Sequence, residues 1–196
     1  MPFATTRRRF LTLGLGGAAL LGAGGALRWL TLGYSLPPGD VAVALSTKEM
    51  AIVRAIVEAL LPGDDGLPSG LALSVHQRID EEVFSQPDEV QEDLKAALQL
   101  LEHGPPLFGA FGRLTALAPE ERREVLARML RPDVDVVVQA AVAMKQLAHI
   151  FYFTREEVWP HIGYDGPWIL TPRPPESSLR YAEILAESKQ RGRAPA

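Results

Sequence analysis

Hydrophobic residues along much of the chain recur three and four positions apart, which is the spacing of amphipathic helices. The clearest example begins at Ser46, because Ser46 and Glu49 stand at the spacing of a capping box. The apolar positions that follow form one helical stripe: Ile52, Val53, Ile56, Val57, Leu60 and Leu61. Strong turn residues come next, from Pro62 to Gly66. The pattern therefore predicts a first helix that ends before this turn.

The same periodicity continues through the rest of the chain. Three further helices are expected in the first part: one from Leu73 to Phe84, one from Asp88 to before Gly104, and one that begins at Pro119. A long helix from Asp133 to about Phe153 or Val158 and a short one around Leu179 to Ser188 follow. A short amphipathic stretch holds Phe108, Phe111, Leu114 and Leu117. Residues 134–138 have some strand character, but the Ala-rich continuation favours helix. We expect an all-α fold, a small orthogonal or irregular bundle of about five to six helices after an N-terminal signal helix.

The N-terminus carries the sequence Thr6-Arg7-Arg8-Arg9-Phe10-Leu11, and no charged residue follows until Arg28. This resembles a twin-arginine export signal read at Arg7, Arg8, Phe10 and Leu11. The uncharged run is long enough for a membrane helix, but its six glycines weaken it and favour the signal. Residues 1–44 are therefore assigned to signal and linker. Cleavage after Ala44 and retention of the leader as an anchor both stay open.

Composition excludes several classes of function. The chain has 20 basic and 24 acidic residues, and beyond the leader the basic ones are scattered among acidic ones, so no nucleic-acid footprint is present. There is no cysteine, which excludes disulfides, thiolate metal sites, iron–sulfur clusters and covalently attached c-type haem. Residues 14–19 match a dinucleotide-binding pattern, but no acidic residue follows before Asp40. No catalytic, cofactor-binding or metal-binding residue is assigned.

The four histidines share no ligand spacing. His149 and His161 flank an aromatic segment and could meet in space. This leaves one alternative function open, an independent exported or membrane-anchored helical enzyme, or a haem- or metal-binding protein, with its site near these two residues.

The segment from Phe151 to Trp168 concentrates aromatic residues beside glycine and proline. Aromatic anchors are enriched at the centres of protein interfaces. The candidate partner interface consists of Tyr152, Trp159, Ile162, Tyr164 and Trp168. The alternative is that these rings close the core of the domain itself.

Four features occur in a characteristic order: the export leader, the turn Leu60-Leu61-Pro62-Gly63-Asp64-Asp65, the segment Leu114 to Leu130, and Ile162-Gly163-Tyr164-Asp165-Gly166-Pro167. In this order the chain resembles the gluconate 2-dehydrogenase subunit 3 family, small subunits that accompany FAD-dependent GMC-type sugar dehydrogenases. Residues 45–170 would be the accessory domain, and residues 171–196 a Pro-rich extension with a short helix.

The resemblance implies a non-catalytic subunit without a cofactor of its own, bound to a catalytic subunit that holds FAD. It also implies that the chain helps this partner to fold and takes it through the twin-arginine translocase as a hitch-hiker. The complex would then lie in the periplasm or on the periplasmic face of the inner membrane. A cytochrome c subunit could join it.

Overall fold

The computed structural model describes residues 33–64, 66–131, 135–167 and 174–191. The chain divides into two compact units, Met1–Tyr34 and Ser35–Ala196, and the second is the one described below. The signal residues Arg7, Arg8, Phe10 and Leu11, and the signal helix expected around them, lie outside the described residues. Within the described ranges the second unit is helical and has no strand, which confirms the all-α prediction.

Seven α-helices and two short 3₁₀ segments make up the described part of this unit. The helices are α1 (Thr47–Leu60), α2 (Val75–Ser85), α3 (Asp88–His103), α4 (Pro119–Met129), α5 (Asp135–Phe153), α6 (Trp159–Ile162) and α7 (Glu176–Arg191). The 3₁₀ segments, Pro105–Phe108 and Leu114–Ala116, lie between α3 and α4. The count exceeds the expected five to six helices because the single turn α6 forms inside the aromatic segment.

Helix α1 lies at the centre and packs against α2, α3, α4 and α5. Its capping box is formed as predicted: the Ser46 side chain accepts from the Glu49 N–H, and the Glu49 carboxylate accepts from the Ser46 N–H. The buried stripe is complete, because Met50, Ile52, Val53, Ile56 and Val57 have no exposed surface. Since α1 is covered on most sides, its stripe supplies the middle of one continuous hydrophobic core.

The stretch between α3 and α4 is held by two buried charged residues. The Glu102 carboxylate accepts from the Thr115 hydroxyl at 2.6 Å and from the Thr115 N–H at 3.1 Å. The Arg122 guanidinium donates to the carbonyls of Leu114 at 3.1 Å and Leu117 at 3.0 Å, and to the Glu58 carboxylate at 2.5 Å. These side chains add hydrogen bonds to a segment that makes only short backbone turns of its own.

Phe111 differs from the expected amphipathic pattern. Leu114 and Leu117 are buried as predicted, but the Phe111 side chain is 96% exposed. The pattern was wrong here because the chain forms two 3₁₀ segments separated by a bend at Phe111-Gly112, so a continuous helical spacing does not apply.

Both ends of this unit are fastened to α2 through the Asp80 clasp, which we define as the Asp80 carboxylate and its four donors. The N–H groups of Val43, Ala44 and Leu45 donate to it at 2.8, 3.1 and 2.8 Å. The Tyr181 hydroxyl of α7 donates at 2.7 Å. Asp80 itself has no exposed surface. Segments that the sequence assigned to a linker and an extension thus meet at one buried carboxylate of the helical domain.

A second contact holds the segment before α1. The Asp40 carboxylate accepts from Arg54 of α1 and lies 3.4 Å from Nε2 of the buried His76 of α2. The same Nε2 lies 3.2 Å from the Arg54 guanidinium. A cut after Ala44 would remove Asp40 from this cluster, together with two of the three backbone donors to Asp80.

Helix α5 is long and apolar. Its residues Val136–Phe153 form the one helix among the described residues that has the length and composition of a membrane span, with a mean hydropathy of 1.4. Its buried positions, including Val137, Met144 and Ala148, belong to the hydrophobic core. A core helix of a soluble domain has the same composition, so the length and hydropathy alone do not indicate a span.

Candidate partner-binding surface

The turn after α1 and the end of α5 are joined by specific contacts. Gly63 has φ +79°, and a Cβ there would lie 2.8 Å from the Ser69 nitrogen, so only glycine fits this turn without strain. The Tyr152 hydroxyl of α5 donates to the Pro68 carbonyl at 2.8 Å, and Arg155 donates to the Leu73 carbonyl at 2.6 Å. The loop 62–74 therefore fixes where α5 ends and where the aromatic segment begins.

Trp159 is the anchor of the aromatic segment. Its indole N–H donates to the Phe153 carbonyl at 2.9 Å, and its ring meets the Tyr164 ring edge-on with centroids 5.3 Å apart. Gly166 has φ +107°, and a Cβ there would come within 3.1 Å of the Trp159 ring. Glycine thus allows the chain to close over the indole. The result is a fixed loop built on one half-buried tryptophan.

The structure divides the five interface candidates. Ile162 and Tyr164 are exposed by 48% and 42%, while Trp159 is half-buried. Tyr152 is only 4% exposed and belongs to the core, and burial raises the pKa of its hydroxyl. Trp168 lies outside the described residues. Ile162 and Tyr164, presented by the Trp159 anchor, are the candidates that the fold leaves on the surface.

Two further exposed apolar residues on α5 were missed by the sequence reasoning. Ile150 is 57% exposed and Phe153 44% exposed, and the Phe153 carbonyl accepts the hydrogen bond of the Trp159 indole. The sequence did contain a sign of their exposure, because the two residues are three positions apart on the side of α5 away from Met144 and Ala148. An almost uninterrupted apolar sequence concealed this signal, since it gives little contrast between the two faces.

The surface beside this patch is charged. Glu156, Glu157 and Asp165 are exposed, and no ion pair to them occurs within the described ranges. Along α5 an open groove of about 400 Å³ is lined by Leu130, Val142, Lys145, Gln146 and His149. A neighbouring groove of about 350 Å³ shares Lys145 and His149 and adds Arg123. The patch is thus acidic at its tip and basic along its base.

The two histidines of the alternative function lie on α5 and α6: His149 lines the grooves, and His161 belongs to the aromatic segment. His149 hydrogen bonds through Nδ1 to the Lys145 carbonyl at 2.7 Å. His161 is exposed in α6, and its Cε1 would lie 3.8 Å from a Cβ added at Gly66. In the described part of the chain no three His, Asp or Glu side chains converge as a metal site would require.

The buried titratable residues have structural positions. Burial is the main cause that lowers the pKa of His76 and of His103, since it disfavours the charged imidazolium. Asp80 and Glu102 accept hydrogen bonds that hold chain segments together. These four residues line neither of the two grooves on α5.

Comparison with known proteins gives one result. The family model described as gluconate 2-dehydrogenase subunit 3 matches residues 47–166, from the start of α1 to the glycine beside Trp159. Searches of curated proteins and of solved structures give no match. The matched residues include the Gly63 turn and the aromatic loop, and the family is that of an accessory subunit of a dehydrogenase complex. The chain therefore belongs to the gluconate 2-dehydrogenase subunit 3 family.

Proposed function

We propose that this chain is a non-catalytic small subunit that binds a FAD-dependent GMC-type dehydrogenase, assists its folding and carries it through the twin-arginine translocase. The observation that carries the proposal is the exposed apolar surface on a fixed loop inside the family-matched region. Ile162 and Tyr164 remain on the surface although the core nearby is well filled. Contiguous exposed apolar residues of this kind mark interaction sites.

The division of labour in the complex follows from the chemistry of the chain. Without cysteine, and without a credible nucleotide-binding loop, the chain has few groups that could hold a redox cofactor. The FAD is accordingly assigned to the partner. Twin-arginine export accepts folded cargo, so a leader on this subunit would serve the loaded flavoprotein as well. The complex would work in the periplasm or on the periplasmic face of the inner membrane, where a cytochrome c subunit could join it.

The first test is co-purification of the tagged full chain from its native cells. We expect a co-purifying polypeptide with flavin absorption. A colourless chain without a partner contradicts the proposal, and a haem spectrum or bound metal in the isolated chain supports the alternative at His149 and His161.

The second test separates export from binding. In the double variant Arg7→Lys, Arg8→Lys, we expect both this chain and the flavoprotein to remain in the cytoplasm, while the two still co-purify. Arrival of the flavoprotein in the periplasm would show that it does not depend on this leader.

A further inference from the structure

Helix α5 presents an apolar strip to the solvent that continues onto the aromatic segment. We define the α5 strip by its exposed apolar side chains: Val142, Ile150, Phe153, Ile162 and Tyr164, which are 36–57% exposed. From Val142 to Phe153 the strip is about 16 Å long, from eleven residues at 1.5 Å each. Soluble monomers rarely leave so many large apolar side chains together on one face without a use for them.

Contacts between rings link the end of α5 to the aromatic segment. The His149 and Phe153 rings have centroids 6.1 Å apart, and Phe153 is joined to Trp159 by the indole hydrogen bond to its carbonyl. Trp159 in turn meets Tyr164. These contacts join the end of α5 to the aromatic segment through Phe153, Trp159 and Tyr164.

Charges of opposite sign lie along the strip, because Lys145 follows Val142 by one helical turn and the carboxylates belong to the aromatic segment. Lys145 and Arg123 line the grooves, and Arg123 donates to the Ala59 carbonyl at 3.3 Å. No ion pair joins either cation to a carboxylate within the described ranges. The other end carries Glu156, Glu157 and Asp165. Separated charges of opposite sign along one apolar surface fix the direction in which a segment can dock.

We infer that the α5 strip docks an amphipathic segment of the dehydrogenase subunit, apolar on one face, with acidic side chains at the end that meets Lys145 and basic side chains at the end that meets Glu157. This inference rests on the proposed function and adds the surface and the polarity of the contact. The apolar face would supply affinity, and the charges would set orientation and the rate of association.

The apolar part is tested by co-purification of the whole complex with single-residue variants. We expect Ile150→Ser to weaken the complex by about tenfold or more, as an anchor within an interface does. The matched control is Phe111→Ser, because Phe111 is also exposed and apolar but lies between α3 and α4. Both residues are exposed, so both variants should keep the thermal stability of the wild-type chain.

The polarity is tested by charge reversal in the same complex. We expect Lys145→Glu and Glu157→Lys each to slow association several-fold and to change its dependence on salt, measured by stopped-flow or biolayer interferometry. Arg131→Glu is the control, because Arg131 is exposed after α4 and lines neither groove.

The outcomes separate the two proposals. If the wild-type chain binds no dehydrogenase, the proposed function fails and the inference fails with it. If the wild type binds and Ile150→Ser binds equally well, or Phe111→Ser is the variant that loses binding, only the α5 strip is overturned. Loss with Ile150→Ser but no effect of either charge reversal overturns the assigned polarity.

Discussion

Replacing Tyr181 with phenylalanine removes a single oxygen atom from the Asp80 clasp. The Tyr181 hydroxyl is the only donor that α7 gives to the buried carboxylate among the described contacts. The Gln77 side-chain amide, which donates to the same hydroxyl, keeps its second contact, to the Val41 carbonyl at 3.1 Å. The ring would remain packed edge-on against Phe84, with centroids 5.8 Å apart. The perturbation therefore removes the hydrogen bond to Asp80 together with two weaker or replaceable contacts of the same hydroxyl, one to the Gln77 carbonyl at 3.2 Å and one from the Gln77 side-chain amide.

The expected cost can be worked out from that geometry. A hydrogen bond to a charged group contributes about 1.5–3 kcal/mol, and the carboxylate has no exposed surface through which water could replace the donor. We expect Tyr181→Phe to lower the free energy of unfolding by about 2 kcal/mol. For a unit of this size that corresponds to a fall in Tm of about 4–8 °C.

The assay is thermal and urea unfolding of the full chain followed by circular dichroism. Tyr164→Phe is the control, because the Tyr164 ring is 42% exposed and its hydroxyl is free to bond to water. We expect the control to change stability by less than about 0.5 kcal/mol. Equal stability of the two variants would refute the reasoning, because it would show that the Tyr181 hydroxyl adds nothing to the clasp.

Three further predictions concern the same unit. Gly63→Ala should destabilise the unit by clearly more than left-handed strain alone, which costs about 1–2 kcal/mol, because the new Cβ would meet the Ser69 backbone. A Cβ at Gly163, with φ +67°, meets nothing within 4 Å, so Gly163→Ala should show only the strain. Arg122→Met should lower the free energy of unfolding by roughly 2–4 kcal/mol by urea titration, because buried carbonyls lose their donor; an unchanged midpoint would contradict this. Burial lowers the pKa of His76 from its ordinary value of 6.5, so the unfolded state binds a proton at this residue before the folded state does. The contribution of neutral His76 to stability is therefore full above pH 6.5 and is lost on acidification. His76→Gln should flatten the fall in stability between pH 7 and 5, and an unaltered slope would contradict this assignment.

The cleavage question gains a structural argument. A chain that begins at Leu45 would lack Asp40 and the N–H donors of Val43 and Ala44, so it should be less stable than the full chain. This can be measured alongside the Tyr181 variant. Mass spectrometry of the exported chain would show which N-terminus the cell makes.

The family match covers only part of the Asp80 clasp. It includes Asp80 on α2 but neither Val43 to Leu45 nor Tyr181. The segments outside the match are therefore held by a residue inside it. A domain cut at the borders of the match would leave the Asp80 carboxylate without any of the four donors of the clasp, which is costly for a buried charge.

The sequence by itself determined the helical class, the position of α1 and the turn after it. These features depend on local rules: a capping box at Ser46 and Glu49, a spacing of apolar residues along one face, and the turn residues at Pro62 and Gly63. It also determined the family, because that resemblance rests on the order of short segments along the chain. Local and ordered signals can be read without knowing which helix meets which.

Only the tertiary structure decided which side chains are buried where the sequence gives no contrast. Tyr152 and Ile150 are both apolar or aromatic members of α5, yet one is 4% exposed and the other 57%. The Asp80 clasp was equally hidden, since its donors lie 35 to 101 positions from Asp80 along the chain. A hydrogen bond between distant residues follows from how the helices pack, and the spacing of residues along the chain does not contain that information.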